Sequence, residues 1–385
     1  MAYIGNKPTA VPLTSSDIQD GTITASDIAD STITSGKIAS GVIANQSAFK
    51  NIIINGDMSI AQRGTSATGL GNGDSGYHTV DRFKFVENNA PTCEFTQTQS
   101  TDVPTAQGFS KSLKMDCTTA QTSLAGDDFI YIATNIEGQN LQYLKKGTSS
   151  AESLTLSFWV KSNKTGTYIF EIIDRDNSRA ISKSYTISSA STWEKKTITI
   201  NGDTTGTLDN DNGQSFEVIF WLLAGANFQS GTLQTSWGSR TTTNDAVGQV
   251  NLADSTSNEW YITGVQLEAG TTASDFEFLP YDVNLQRCQR YFEICDPDRL
   301  QGSQTYVSST LFCNPLEFSV TKRAVPTITN SSATFFLFYN PSYDTGVSWS
   351  LDSANVNSFR ITMNSTRDYG FVGSGTDYFK ADAEL

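Results

Sequence analysis

The chain has 385 residues, enough for two or three domains with their own hydrophobic cores. Its 26 Lys and Arg against 40 Asp and Glu give a formal net charge of −14 without a basic cluster. This balance excludes nucleic-acid binding through phosphates and disfavours anionic membranes, and an anionic glycan would need bridging divalent cations. Hydrophobic residues make up only 37% but aromatic residues 11%, which is typical of short strands joined by turns.

The first predicted element is a ten-residue repeat at 16–45, read as SDIQDGTITA, SDIADSTITS and GKIASGVIAN. Isoleucine recurs every five residues, a period that gives one apolar face neither on a flat strand nor on an α-helix. A turn in each unit resolves the conflict, but one unit cannot bury its isoleucines alone. Residues 1–48 are therefore predicted to form an intertwined stalk in which three copies of the chain bury Ile18, Ile23, Ile28, Ile33, Ile38 and Ile43. The alternative is a disordered linker with accidental periodicity.

Residues 49–281 contain evenly spaced strand-like runs without a long helical pattern. Examples are 153–161, 167–174, 193–200, 216–224 and 260–268, with Gly, Asn and Asp clusters between them. This spacing predicts an all-β fold whose body is an antiparallel sandwich or jelly roll.

Two tryptophans of these runs point away from the expected core. Alternation places Leu156 and Phe158 on one face of their strand and Trp159 on the other, and Trp221 likewise faces away from Phe220. An indole on the outer or concave face of a sandwich can stack on a sugar ring, so both are candidate glycan-binding residues. The alternative is that loops or a neighbouring protomer cover them.

Several motifs are similar to those of a known family. NIIINGDMSIAQRGTS (51–66), followed by Asp81-Arg82-Phe83, resembles the opening of a domain common in bacteriophage tail fibres, such as those of short-tailed phages or marine cyanophages. YITGVQLEAGTTASDFEFLPY (261–281), followed by 288–293, resembles its close. The repeat and the ending at 378–385 also resemble such fibres. The resemblance implies a jelly roll similar to carbohydrate-binding modules.

The same resemblance implies a structural calcium ion between the first and last strands. Asn55, Asp57 and Glu268 are then the candidate ligands, because calcium prefers hard oxygen ligands. The alternative is a plain turn at Asn55-Gly56 that Asp57 caps.

Residues 282–385 are predicted to form a linker helix and a small β-rich tip domain. Leu285, Cys288 and Phe292 make a helical stripe, with Asp282 as its cap. In fibres of this kind the distal domain meets the host, so Tyr343 and Trp349 in the expected loop 340–350 are further glycan-binding candidates. Trimer contacts or plain core are the alternatives.

No enzyme motif stands out in the sequence. The single histidine, His78, has no supporting nucleophile motif, and the five scattered cysteines favour buried free thiols over a zinc site or disulfides. Only a glycosidase with paired carboxylates remains open. The chain is therefore predicted not to be an enzyme.

Together these features predict a homotrimeric virion tail fibre that recognises a glycan or protein receptor on the host surface. The N-terminus would attach it to tail adaptor or nozzle proteins. The opening residues lack a classical export signal, which predicts assembly in the host cytoplasm without membrane insertion. The alternatives are a non-binding spacer or adaptor of the tail and a glycan depolymerase.

Overall fold

A computed structural model describes residues 49–88, 92–296, 305–307, 310–330, 334–339, 342–364, 371–373 and 378–385. Phe49–Leu385 form one compact unit. The predicted isoleucine stalk lies outside the described residues. None of the described helices is long and apolar enough to cross a membrane.

Two six-stranded antiparallel sheets form the body. In spatial order, the first sheet contains β1 (Ser66–Leu70), β3 (Glu94–Ser100), β4 (Ser112–Thr119), β12 (Glu259–Ala269), β6 (Leu154–Ser162) and β9 (Glu194–Ile200). The second contains β11 (Gly238–Ser239), β8 (Arg179–Ile187), β7 (Gly166–Asp174), β10 (Gln214–Ala224), β5 (Phe129–Glu137) and β2 (Lys84–Asn88). The predicted all-β class and antiparallel sandwich are confirmed, and the five predicted runs are β6, β7, β9, β10 and β12.

The main core lies between the two sheets. Leu156 and Phe158 of β6 are fully buried there, as alternation predicts. The ring of Phe158 meets Phe220 of the second sheet edge to face, with centroids 5.2 Å apart. Burying such a side chain contributes about 1.5–3 kcal/mol, so these contacts hold the sheets together.

A second apolar cluster covers the outer face of the second sheet. Trp221 and Tyr131 lie in it, under Phe228 of the short helix α1 (Ala226–Gln229). Short 3₁₀ turns occur at Gly138–Asn140, Gln142–Leu144, Thr242–Asn244 and Leu252–Asp254. Because β10 is buried on both faces, its sequence is almost continuously apolar.

The C-terminal residues form helix α2 (Tyr281–Gln289) and two smaller antiparallel sheets. The first consists of β13 (Phe292–Cys295), β22 (Phe379–Asp382) and β17 (Thr327–Asn330). The second consists of β14 (Thr305–Val307), β15 (Thr310–Phe312), β16 (Leu316–Glu317), β18 (Thr334–Tyr339), β19 (Ser342–Ala354), β20 (Ser358–Asn364) and β21 (Phe371–Gly373).

Three local predictions for this region were wrong. The helix ends at Gln289, and Phe292 belongs to β13, where it pairs with Asp382. Asp282 lies in the first turn and does not cap the helix. The described residues 342–350 of the expected loop belong to β19, because pairing with β18 and β20 outweighs their turn-like composition.

The last residues of the described chain pack against the sandwich. Arg82, only 1% exposed, pairs with the carboxylate of Glu384 and lies over the ring of Tyr291, 3.5 Å from its centroid. The amide of Asn135 on β5 donates to the carbonyl of Leu385 at 3.0 Å. The C-terminal sheets are thereby tied to the body by a buried charge pair.

Candidate functional site

A row of aromatic and charged side chains crosses the outer face of the first sheet. Antiparallel pairing sets Tyr261 of β12 opposite Lys161 on one side and Lys114 on the other. Trp193, just before β9, extends the row beyond Lys161. One step along the sheet, Trp159 lies opposite Thr263. We call the set the outer-face row: Trp159, Trp193, Lys161, Tyr261, Lys114, Asp102 and Glu259.

Cations and rings alternate along this row. The Lys161 ammonium lies 4.1 Å from the centroid of the Tyr261 ring and 5.6 Å from that of Trp193. The Lys114 ammonium lies 5.4 Å from the Tyr261 centroid. The rings of Trp193 and Tyr261 are 6.1 Å apart at 66°. These cation–π contacts fix the side chains before any ligand arrives.

Two carboxylates complete the network. Asp102 accepts the indole N–H of Trp193 at 2.9 Å and pairs with Lys161. Glu259 pairs with Lys114 at 2.9 Å and accepts the hydroxyl of Tyr261, also at 2.9 Å. Burial acts to raise both carboxyl pKa values, but the hydrogen bonds from these partners outweigh it and hold each pKa below its ordinary value. Both groups are therefore ionised at neutral pH.

Trp159 is the least engaged aromatic residue of the row. It is half-buried and lies opposite Lys195, so Trp193 is its diagonal neighbour, about 7–8 Å away across the strand pair. Among the described residues, its indole N–H has no hydrogen-bond partner and its ring meets no other ring. It thus keeps both surface and a donor available.

The chemistry of the row suits a polyhydroxylated ring. An indole face packs against the C–H face of a sugar, while ionised Asp, Glu and Lys groups accept from or donate to its hydroxyls. Two lysines facing two carboxylates leave the row without a strong charge of one sign. Neither carboxyl has the raised pKa that a general acid requires.

Trp221 is unsuited to sugar stacking. It is 1% exposed, and its ring packs against Tyr131 and Phe228. Its indole N–H donates to Glu171 at 3.0 Å. The prediction that it faces away from the main core is correct, but the second apolar cluster covers it, as the alternative interpretation held.

The two tip candidates lie in β19. Trp349 is half-buried, and its ring meets Phe379 edge to face at 5.3 Å, so it packs on the C-terminal core. Tyr343 pairs with Phe338 in register, and its side chain lies outside the described residues. Trp349 is thus engaged in core packing, and a binding role for Tyr343 stays a prediction.

The three candidate calcium ligands have protein partners instead. Asn55 adopts a left-handed conformation, φ 60°, and its side chain bonds both the N–H and the carbonyl of Ile60 at 2.9 Å. The amide of Asn284 donates to Asp57 at 3.1 Å and lies 3.4 Å from Oδ1 of Asn55.

A donor group thus faces the oxygens that a cation would need. Glu268 uses its carboxylate elsewhere, with Gln266 at 2.9 Å and Ser274 at 2.7 Å. The described residues contain no cluster of three or more His, Cys, Asp or Glu that could hold a metal. The arrangement does not fit a calcium ion shared by Asn55, Asp57 and Glu268.

The Asn55 motif has a packing role in the fold. A Cβ at Gly56 would lie 2.0 Å from the carbonyl oxygen of Val265, so only glycine lets the turn approach β12 this closely. Asn51 adds a bond from its amide to the same carbonyl at 3.0 Å. The turn at 51–56 therefore packs directly against β12.

Sequence reasoning missed Trp193, Tyr261 and their charged partners. Trp260 is fully buried, and alternation within 260–268 places Tyr261 on the other face of the strand. This pattern could have marked Tyr261 as a residue of the outer face. Nothing local, however, indicates that β9, β6 and β12 are neighbours. That order comes only from the sheet topology.

Comparisons with known proteins give distant similarities. No protein-family model and no curated protein sequence matches the chain. Among solved structures, it is similar to the enzymatically active domain of bacteriophage CBA120 tailspike protein 4, at 14% identity and a TM-score of 0.29, over 57% of this chain and 22% of that one. The chain thus spans less than a quarter of that tailspike structure.

Two further structures show the same level of similarity. The family 11 carbohydrate-binding module of Clostridium thermocellum Lic26A-Cel5E has 13% identity and a TM-score of 0.28, over 54% of this chain and 97% of the module. A "putative sugar binding protein" from Bacteroides thetaiotaomicron has 12% identity and a TM-score of 0.29, over 57% of this chain and 99% of that one. Similarity at this level does not assign a function.

Proposed function

We propose that this protein is a bacteriophage tail fibre that binds a glycan on the host surface through the outer-face row. The observation that carries the glycan site is the pair of half-buried indoles, Trp159 and Trp193, at diagonal positions on the outer face of the first sheet. The motifs at 51–66 and 261–293, which resemble those of tail fibres, support the virion role.

The rigidity of the row favours binding. Lys161 is held by Asp102 and by two rings, and Lys114 by Glu259, so little side-chain entropy remains to be lost when a ligand binds. All strands of this face are paired in one sheet, which fixes the spacing of the indoles. A site with fixed aromatic platforms and a few placed polar groups is the usual form of a ligand site.

The remaining parts of the proposal concern assembly. Residues 1–48 would hold three copies together through the six isoleucines and attach them to tail adaptor or nozzle proteins. The chain would assemble in the host cytoplasm and act on the virion tail.

We further propose that the fibre does not cleave its glycan. Glu171 and Asp245 are neighbouring carboxyl groups, but they are 0% and 1% exposed and so out of reach of a substrate. Asp102 and Glu259 are both held ionised, which leaves neither as a proton donor. A reducing-end assay on host polysaccharide is expected to show no release above the buffer control.

The test combines a glycan array with adsorption competition. The full chain is expected to bind a defined glycan set and to block phage adsorption. Trp159→Ala and Trp193→Ala should each weaken binding roughly tenfold, about 1.4 kcal/mol, because a stacking surface is lost. Thr197→Ala is the matched control, since Thr197 is exposed on the same face and should leave binding unchanged. Absence of both glycan binding and competition would leave the spacer role instead.

A further inference from the structure

A cavity of about 480 Å³ lies in the same compact unit as the outer-face row, but none of the residues of that row lines it. Its walls come from residues 49–54, the end of β5, the 3₁₀ turns that follow β5, and helix α2. Phe49 and Tyr143 line the cavity, and 54% and 50% of their surfaces are exposed. This volume is in the range of pockets that hold small ligands, about 300–1,000 Å³.

Three arginines line this cavity in an otherwise acidic protein. Arg290 is neutralised by Glu137 through two hydrogen bonds of 2.9 and 2.8 Å, and Arg82 is neutralised by Glu384. Arg287 has no carboxylate within ion-pair distance among the described residues. Within the described part of the chain, its only hydrogen bond is a 3.5 Å contact from Nη2 to the carbonyl of Asn51.

An unpaired guanidinium at such a place is costly without a ligand. Burial lowers the pKa of Arg287, although nearby negative groups such as Glu277 oppose the shift. The group remains a cation at neutral pH, because arginine loses its proton only far above that range. A partly desolvated charge of this kind favours an anion that completes its hydrogen bonds.

Other polar groups at the cavity are also available. Asn140 is exposed, and neither its amide nor the hydroxyl of Tyr143 has a hydrogen-bond partner among the described residues. Burial, with a smaller contribution from Glu268, raises the pKa of Tyr143 to about 12, so its hydroxyl stays a donor at neutral pH. The cavity thus combines neutral hydrogen-bonding groups, two exposed rings and one cation without a carboxylate partner among the described residues, the Arg287 guanidinium, which lies 5.6 Å from the centroid of the Phe49 ring.

We propose that this cavity binds an acidic sugar, of the uronic or sialic acid class, with its carboxylate on Arg287. The guanidinium matches a carboxylate in two-point geometry, the rings of Phe49 and Tyr143 offer faces for the pyranose, and Asn140 and the tyrosine hydroxyl meet its hydroxyls. The inference rests on the proposed glycan binding for the sugar part of the ligand. It adds a second subsite and a charge preference that the outer-face row lacks.

The net charge of −14 does not prevent such binding. Charges farther than the Debye length, about 8 Å at physiological salt, are largely screened, so the nearest groups decide the local potential. Arg287 then supplies the positive charge at the cavity, where the net charge alone had suggested that bridging divalent cations would be needed. Acidic-sugar binding here is expected to persist in the presence of a chelator.

The test uses isothermal titration of the full chain with glucuronate, N-acetylneuraminate and glucose. Either acidic sugar should bind more tightly than glucose, and Arg287→Gln should lower that affinity at least tenfold. Tyr143→Ala should also weaken binding of the acidic sugar. Because Tyr143 is exposed, this change should leave the fold intact. Lys145→Gln removes one positive charge at a site 53% exposed and should change nothing. Unfolding midpoints of all variants check the fold.

The outcomes separate this inference from the proposed function. If Trp159→Ala and Trp193→Ala lose neutral oligosaccharides but keep the acidic sugar, the two subsites are independent, as expected. If neither acidic sugar shows Arg287-dependent binding, the inference is overturned while the outer-face row still stands. Binding of an acidic peptide in place of both sugars would also overturn it and would assign the cavity to a protein partner.

Discussion

The indole N–H of Trp221 donates to Oε2 of Glu171 across 3.0 Å, in a part of the second sheet that solvent does not reach. Asp245 lies beside this carboxyl, and Arg240 bonds Asp245 at 2.6 Å. Burial raises the pKa of Glu171, and the negative charge of Asp245 raises it further. Burial likewise raises the pKa of Asp245, against the opposing effect of Arg240. We therefore expect the pair to share a proton at pH values where free carboxyls are ionised.

Replacing Glu171 by Gln should change how stability depends on pH. The folded chain holds the shared proton more tightly than the unfolded chain, so stability falls as pH rises from the ordinary glutamate pKa through the raised one. Glu171→Gln keeps an acceptor for Trp221 and removes this proton. The melting temperature of Glu171→Gln should therefore increase relative to that of the wild type as pH rises from about 4 to about 8. Glu152→Gln, at an exposed pair, is the control. Parallel curves for Glu171→Gln and wild type would contradict the shared proton.

Two adjacent lysines should differ strongly in their contribution to stability. Lys146 is 4% exposed and pairs with Asp174 at 2.5 Å and Asp203 at 3.0 Å, whereas Lys145 is 53% exposed beside Glu152. Lys146→Ala leaves Asp174 buried without its cation and should cost about 3–5 kcal/mol. Lys145→Ala should cost about 0–1 kcal/mol. Urea unfolding of the two variants measures the difference, and equal midpoints would refute the buried network.

The contact between the sheets can be tested at Phe158. Its ring is fully buried between Tyr185 and Phe220, with centroids 5.1 and 5.2 Å away. Phe158→Ala should lower the free energy of unfolding by about 3–5 kcal/mol, from lost burial and the cavity left behind. Thr197→Ala, on the exposed face of the same sheet, should stay within about 0.5 kcal/mol. The comparison is made by denaturant titration, and a small loss for Phe158→Ala would mean that the sheets do not pack as described.

The attachment of the last residues depends on Glu384. Its side chain is 6% exposed and lies against Arg82 and Arg63, whereas that of Asp382 is 44% exposed. Glu384→Ala leaves Arg82 buried without a carboxylate, at a cost of about 3–5 kcal/mol.

Hydrogen exchange reports this change locally. The amide of Ala383, which donates to the Tyr291 carbonyl at 2.7 Å, should exchange faster in Glu384→Ala. Asp382→Asn serves as control, since its pair with Arg63 is partly solvated and worth about 0–1 kcal/mol. Unchanged exchange at Ala383 in Glu384→Ala would contradict the role of the buried pair.

The thiols should be unreactive in the native state. All five cysteines are buried thiols outside disulfides, as the scattered spacing predicted. Burial raises the pKa of Cys93 to about 12 and that of Cys117 to about 11, so almost no thiolate forms at pH 8. A disulfide-exchange reagent should label five thiols in denaturant and essentially none in native protein within minutes. Rapid native labelling would show that one of these sites opens.

The sequence predicted the strands and their facing better than their neighbours. Alternation placed Phe158 in the core and Trp159 outside, and both assignments agree with the burial. It could not show that α1 and the following loop fold back over Trp221, because alternation gives the facing of a side chain and not what covers it. The apolar residues on both faces of β10, such as Ile219, were the available sign.

The candidate site depends on register, which local pattern does not give. Trp193, Lys161 and Tyr261 become neighbours only because β6 pairs with β9 on one side and, about a hundred residues further along the chain, with β12 on the other. The prediction of a loop at 340–350 was wrong because it relied on local composition alone. The Gly, Pro and Ser content of this segment is typical of turns, yet cross-strand pairing of Trp349 with Met363 makes it a strand.

The most direct test of the glycan site is a crystal structure of the chain with the tightest-binding glycan from the array. We expect a pyranose ring stacked within about 4 Å of the indole of Trp159 or Trp193, the contact distance of packed apolar atoms. Its hydroxyls should bond to the carboxylate of Asp102 or the ammonium of Lys161. A glycan bound elsewhere, with both indoles free of sugar, would contradict the account.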